Sequence, residues 1–418
     1  MQPARDWFPP SVPAAVFVRP VPVMHHRRLR LFPIGLVAGL VLLFPHTGSA
    51  QTGEQDTLAR TALALSARQI NVSYDSTLRA DDPASRAVLD AATGEAAEIH
   101  LGRLEGNRAL RIGPLGPEAG DDPPRSGPDH ELWLARSGST WVLDARPIPA
   151  EEDDEAESGT ETDDADEPEA EPLEPVQIPL THVGRPDDTS DTPLVTLVPS
   201  GDDSGELMLL WGEHYWSADF EFIELARRPR PERTSNIGPA SSLTRDSDTS
   251  ARWRGARLGT RNETVVATPT GETIQVLFQK ELGTDHRDFA ALESTADGEI
   301  VELSGGAAIR LRSEVSLRSG DTLIPTENLA PNFPGSYALW LQAVGDGWRL
   351  VFNHEADSWG TQHDPAFDAA EIDLTHVHGG ATTDRPLQAY WVPRRPGEVG
   401  LVIHWGQHTW TTDFTIEN

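Results

Sequence analysis

Leu401-Val402-Ile403-His404-Trp405-Gly406-Gln407-His408-Thr409-Trp410-Thr411-Thr412-Asp413-Phe414-Thr415-Ile416 decides the fold. From His408 onward its side chains alternate: His408, Trp410, Thr412, Phe414 and Ile416 share one face, and Thr409, Thr411, Asp413 and Thr415 the other. A period of two is the pattern of a half-buried β-strand, because successive side chains leave a strand on opposite sides. Gly406-Gln407 interrupts two apolar runs and reads as the turn of a hairpin. The same text stands 194 positions earlier as Trp211-Gly212-Glu213-His214-Tyr215-Trp216-Ser217-Ala218-Asp219-Phe220. There His214, Trp216, Ala218, Phe220 and Phe222 form the apolar face.

Working upstream, Leu180-Thr181-His182-Val183 returns as Leu374-Thr375-His376-Val377 at the same offset of 194. Leu132-Trp133-Leu134 with Trp141 returns as Leu339-Trp340-Leu341 with Trp348 at an offset of 207, so the first copy carries an insertion of 13 residues. Ile70-Asn71-Val72 answers Ile274-Gln275-Val276. Eight of the 12 tryptophans fall into these matched pairs, which makes the chain a tandem repeat. The segments are short, aromatic or β-branched, and no long amphipathic helix interrupts them. The expected fold is therefore all-β, two tandem antiparallel β-sandwich domains of jelly-roll or Ig-like type, with a partly closed barrel as the alternative. The expected boundaries are a signal peptide over 1–50, an N-terminal tail over 51–66, copy one over 67–225, a linker over 226–262 and copy two over 263–418.

Acidic residues number 66 against 34 basic ones, a formal net charge of −32, and there is no cysteine. The charge argues against nucleic acid as a partner. The missing cysteines exclude disulfides, a thiol nucleophile and a thiolate zinc site. Lys280 is the single lysine. Part of the charge sits in the insertion: 14 of the 24 residues from Glu151 to Glu174 are acidic. Such a run repels itself and has little apolar surface to bury, so a solvated, disordered loop is expected over 150–174. The linker carries Arg227, Arg228, Arg230 and Arg233.

The N-terminus reads as an export signal. His25-His26-Arg27-Arg28-Leu29-Arg30 is a basic flank, Leu31 to Phe44 is an apolar run, and Gly48-Ser49-Ala50 supplies small residues for cleavage, with Met24 as the expected true start. An apolar run of 14 residues is shorter than the roughly 20 that span a bilayer. The expectation is a periplasmic or extracellular protein without a transmembrane span in its mature chain.

Copy two also contains an ordered set of motifs: Phe333-Pro334-Gly335-Ser336-Tyr337-Ala338-Leu339-Trp340, Trp348-Arg349-Leu350-Val351-Phe352-Asn353, Ser358-Trp359-Gly360, Asp368, and the closing Leu401-Val402-Ile403-His404-Trp405. In this order they resemble the bacterial family called domain of unknown function 2911. The resemblance implies an exported β-domain and says nothing of an activity. Copy one departs from it, with His130 where copy two has Tyr337, and with the acidic insertion in place of the Asn353-to-Gly360 element. The resemblance therefore directs attention to copy two.

Two sets of residues there are candidates for chemistry. His376 and His378 lie two apart, which on a strand puts both imidazoles on one face, a spacing suited to zinc or copper. His404 and His408 flank the turn and join them in the expected centre, with Asp364 or Asp368 as a carboxylate ligand. The competing reading makes these histidines half-buried, hydrogen-bonded strand residues, and copy one keeps only His182 and His214, with Gly184 and Leu210 at the other two positions. Asn353, Trp359, Gly360, His363 and Asp368, present in copy two alone, are the candidate ligand-binding element; they equally read as a turn cap and packing residues. No nucleophile elbow, phosphate loop, dinucleotide fingerprint or complete zincin motif occurs. No cofactor is demanded by any motif; zinc and calcium are the ions the expectation considers. The expected function is a non-catalytic binding or interaction module for an extracytoplasmic ligand or protein, the alternative a metal-dependent enzyme centred on the copy-two histidines.

Overall fold

A computed structural model describes residues 58–417 apart from the segments 66–67, 92–95, 119–126, 149–173, 185–188, 226–260, 281, 302, 304–308, 327–334, 356–362 and 380–383. The expected signal segment, nearly all of the acidic run, most of the expected linker, and Trp359 with Gly360 lie outside the described residues.

The chain is all-β and antiparallel, and every pairing between strands joins them into one continuous system. The first repeat contributes β1 (Leu58–Leu65), β2 (Arg68–Asp75), helix α1 (Pro83–Leu89), β3 (Ala97–Gly106), β4 (Leu110–Ile112), β5 (Asp129–Ser137), β6 (Thr140–Pro147), β7 (Val176–Gly184), β8 (Ser190–Pro199), β9 (Ser204–Gly212) and β10 (His214–Phe222). The second contributes β11 (Arg261–Ala267), β12 (Thr273–Gln279), helix α2 (Arg287–Glu293), β13 (Ile300–Val301), β14 (Ile309–Ser313), β15 (Ser316–Ser319), β16 (Thr322–Ile324), β17 (Ser336–Val344), β18 (Gly347–Asn353), β19 (Asp368–His378), β20 (Gln388–Arg395), β21 (Glu398–Trp405) and β22 (His408–Glu417). Leu58–Leu65, expected to be part of a tail, is a strand. Its alternation is carried by Ala59, Thr61, Leu63 and Leu65, small residues among larger ones, so the period is faint. The second repeat likewise begins at Arg261, inside the expected linker.

Each repeat is a sandwich made by folding one sheet over on itself. In repeat one the order β1-β2-β3-β5-β6-β7 forms one layer. The second layer is β10-β9-β8, with β4 beside the end of β10. Strand β7 belongs to both layers: Val176 to Leu180 pair with β6, and Thr181 to Gly184 pair with β10. Strand β19 does the same in repeat two, pairing with β18 up to Leu374 and with β22 from Thr375. The repeated Leu-Thr-His-Val motif is thus the corner at which a strand crosses between sheets.

Period-two alternation fills the space between layers. One core gathers Leu63, Ile70, Leu104 and Leu132 against Leu207, Leu209, Trp211 and Trp216. The other gathers Ile274, Val276, Leu339 and Phe352 against Trp391, Leu401, Trp405, Trp410 and Phe414. Full burial of one such side chain contributes roughly 1.5–3 kcal/mol. The two repeats meet through an antiparallel ladder between β1 and β11. Ala62 pairs there with its own repeat equivalent, Val265, so exchanging the repeats maps the ladder onto itself. Thr61 Oγ1 donates to the Val195 carbonyl (2.8 Å), and Thr264 Oγ1 donates to the equivalent Ala389 carbonyl (3.2 Å). This is the self-complementary pattern of a two-fold interface, here within one chain.

Candidate metal centre

The two-residue hairpin between β21 and β22 sets the geometry. Trp405 pairs with His408 and His404 with Thr409. Such a turn needs a positive φ at its first position, and Gly406 has φ of 58°. On the other side of β22, His376 pairs with Trp410 and His378 with His408. Directly paired residues share a face, so His376, His378, His408 and Trp410 all point the same way, at the end of the sandwich just past the corner in β19.

The rings form one cluster. His408 lies 5.2 Å from Trp410 with 4° between planes, and His376 lies 5.4 Å from Trp410 at 16°. His376 and His408 are near-parallel, 5.2 Å apart with 12° between planes, and His378 approaches His408 to 4.7 Å. Trp348 meets His376 edge-on at 5.8 Å. His376 Nε2 and His408 Nδ1 are hydrogen-bonded at 3.0 Å.

The carboxylate comes from α2, the short helix that follows β12. Glu293, its last residue, places Oε1 2.8 Å from His408 Nε2. Gln407 Nε2 donates to the same oxygen at 3.0 Å. Donor atoms of Glu293, His378 and His408 all lie within 4.8 Å of one another. His408 is buried, whereas His378 and Glu293 face solvent. Burial holds the His376 pKa down to about 4, with the neighbouring His408 and His378 adding to the effect. Burial also lowers that of His408, against the pull of Glu293. Both rings are therefore neutral at pH 7, the form in which imidazole ligates a metal. Glu293 is held below its ordinary pKa by the hydrogen bonds from Gln407 and His408, so it is a carboxylate. Two imidazoles and a carboxylate, close together and with His378 and Glu293 open to solvent, are a donor set suited to zinc and its transition-metal neighbours. Calcium, which takes six to eight oxygens, fits them poorly.

The structure departs from the expected ligand set at three points. His376 stays in the ring cluster, but its Nε2 is engaged 3.0 Å from His408 Nδ1 and it is not among the three converging donors. His404 does not join the centre. With two residues in the turn it sits opposite Thr409 on the other face of β21, where its Nδ1 is 2.8 Å from Thr409 Oγ1. Asp368 opens β19, ten residues and about 33 Å of strand from His378, and Asp364 lies before it, capping the turn over 365–367. Glu293 was not singled out in the sequence. Helices α1 and α2 follow β2 and β12 at one common offset of 204, which aligns Glu293 with Leu89. A carboxylate at the C-terminal end of a helix stands at the electrostatically unfavourable end. That broken local rule, against a buried leucine in the other repeat, was the available signal.

Repeat one retains the frame without the centre. His182, His214, Trp141 and Trp216 form the corresponding ring cluster, with His214 stacked on Trp216 at 5.1 Å. Leu89 stands for Glu293 and Gly184 for His378, and the ladder slips at this point, so that Gly184 pairs with Tyr215.

The second candidate element is self-contained. Asn353 is 1 % exposed; its Nδ2 donates to the Asp364 carbonyl and to Asp368 Oδ1, both at 2.9 Å, and its Oδ1 accepts from the Glu355 amide. His363 Nε2 lies 2.8 Å from the same Asp368 oxygen, with its ring 5.5 Å from Trp340. Asn353, His363 and Asp368 are thus brought together, and their polar atoms tie the β18–β19 connection to the sheet. Trp359 and Gly360 lie outside the described residues. Comparison with protein-family models, curated proteins and solved structures finds no match to this chain.

Proposed function

We propose that this is an exported metal-binding module, in which the second repeat holds a divalent transition-metal ion, zinc foremost, through His378, His408 and Glu293. The observation that carries the reading is the convergence of these three donors at a solvent-facing end of the sandwich, among the described residues in one repeat and not the other. The net charge of −32 draws cations toward such a site. Export rests on the basic, apolar and small-residue segments that precede Gln51. Membership of the domain of unknown function 2911 family belongs to the same proposal and rests on the ordered motifs between Phe333 and Trp405. Three protein ligands leave a coordination position open to water or a ligand, which favours a metal-dependent enzyme as the second reading.

The test is thermal unfolding of the full chain after chelator treatment, with zinc or calcium added back. Zinc at a hundredfold excess over its dissociation constant adds about 2.7 kcal/mol and raises the midpoint by several degrees. Calcium leaves it unchanged, and Glu293→Gln or His378→Ala abolishes the zinc effect. A midpoint indifferent to zinc contradicts the proposal.

A further inference from the structure

We infer that His376 is the positioning residue of this centre, setting the tautomer of His408 through their hydrogen bond without binding the ion itself. The inference rests on the ligand set proposed above. The three donor atoms that lie close together belong to Glu293, His378 and His408, while His376 Nε2 is engaged 3.0 Å from His408 Nδ1.

Counting protons shows what that engagement does. A neutral imidazole carries one ring proton and one lone pair. In the metal-free chain, His408 Nε2–H donates to Glu293, so His408 Nδ1 offers its lone pair and His376 Nε2–H donates to it. A metal on His408 Nε2 takes that proton's place. His408 then carries its proton on Nδ1 and donates it to His376 Nε2, whose own proton shifts to Nδ1. The pair holds two protons before and after, and no electron moves; the hydrogen bond reverses direction. The rings are held against rotation by Trp410, on which both stack, and by the edge of Trp348. A side chain that both donates and accepts is needed at position 376. Glutamine keeps that ability and alanine does not.

The experiment titrates the full chain with Co²⁺ in wild type, His376→Ala and His376→Gln, and follows histidine ¹⁵N resonances of the wild type with zinc. Loss of such an outer partner weakens metal binding by about 10–100-fold. That loss is expected for His376→Ala, with His376→Gln restoring most of it. The cobalt absorption band keeps its position in all three, because the ligands are unchanged. In the wild type, zinc moves the His408 proton from Nε2 to Nδ1. Unchanged affinity in His376→Ala, a cobalt band showing the loss of a ligand, or a His408 proton that stays on Nε2 overturns the inference while leaving metal binding intact. A wild type that takes up no cobalt overturns the ligand set, and the inference with it.

Discussion

His404 is buried on the face of β21 opposite the centre, and among the described residues its Nε2 has no hydrogen-bond partner. Burial, with Arg385 nearby, holds its pKa down to about 4. An imidazole that resists protonation when folded takes up its proton on unfolding. The stability it supports is therefore complete above about pH 6.5 and is lost as pH falls from there toward 4. His376 adds to the same loss. Repeat one has Leu210 at the equivalent position, and His404→Leu should remove the contribution of His404. Denaturant midpoints should show the variant within about 1 kcal/mol of wild type at pH 8, gaining up to about 2 kcal/mol on it at pH 5. A difference that does not change between the two pH values would contradict this. Whether a histidine next to a turn faces the core or its back is legible once the turn length is assigned: Trp405 opposite His408 forces His404 to the other side. Glu293 was hidden differently, because nothing local in a short helix shows which sheet end it covers.

At the scale of elements, the strands were legible because each alternates against a core on one face. The corner strands were not, since a strand that changes layers shows no break in its alternation at Leu374-Thr375. The hairpin glycines separate two costs. Gly406 has φ of 58°, and a Cβ there would lie 2.6 Å from the Phe289 ring of α2; Gly212 has φ of 60°, and its nearest neighbour would be Leu89 at 3.4 Å. Gly212→Ala should cost the left-handed conformation, about 1–2 kcal/mol. Gly406→Ala should add overpacking against Phe289, roughly 1–3 kcal/mol more. Urea midpoints with unchanged m values would measure both. Equal losses would mean that α2 does not press on the turn, and the position of Glu293 beside His408 would lose its support.

At the scale of the molecule, two repeats share one architecture and one symmetric joint, yet differ at the sandwich end where the histidines sit. The repeat itself was plain in the sequence, from four tryptophan pairs and the Leu-Thr-His-Val motif. That the repeats join strand to strand was not. The β1–β11 ladder depends on partners about 200 positions apart, and a strand carries no sign of which edge it will meet. In the proposed reading, a frame common to both repeats became a metal centre in one, through Glu293 and His378. The most direct test is zinc stoichiometry by equilibrium dialysis of the full chain, in wild type and in the double variant Glu293→Leu, His378→Gly, which gives repeat two the residues of repeat one. One tightly held ion is expected per wild-type chain, and none in a double variant that remains folded. Equal zinc content in the two proteins, whether one ion or none, would contradict it.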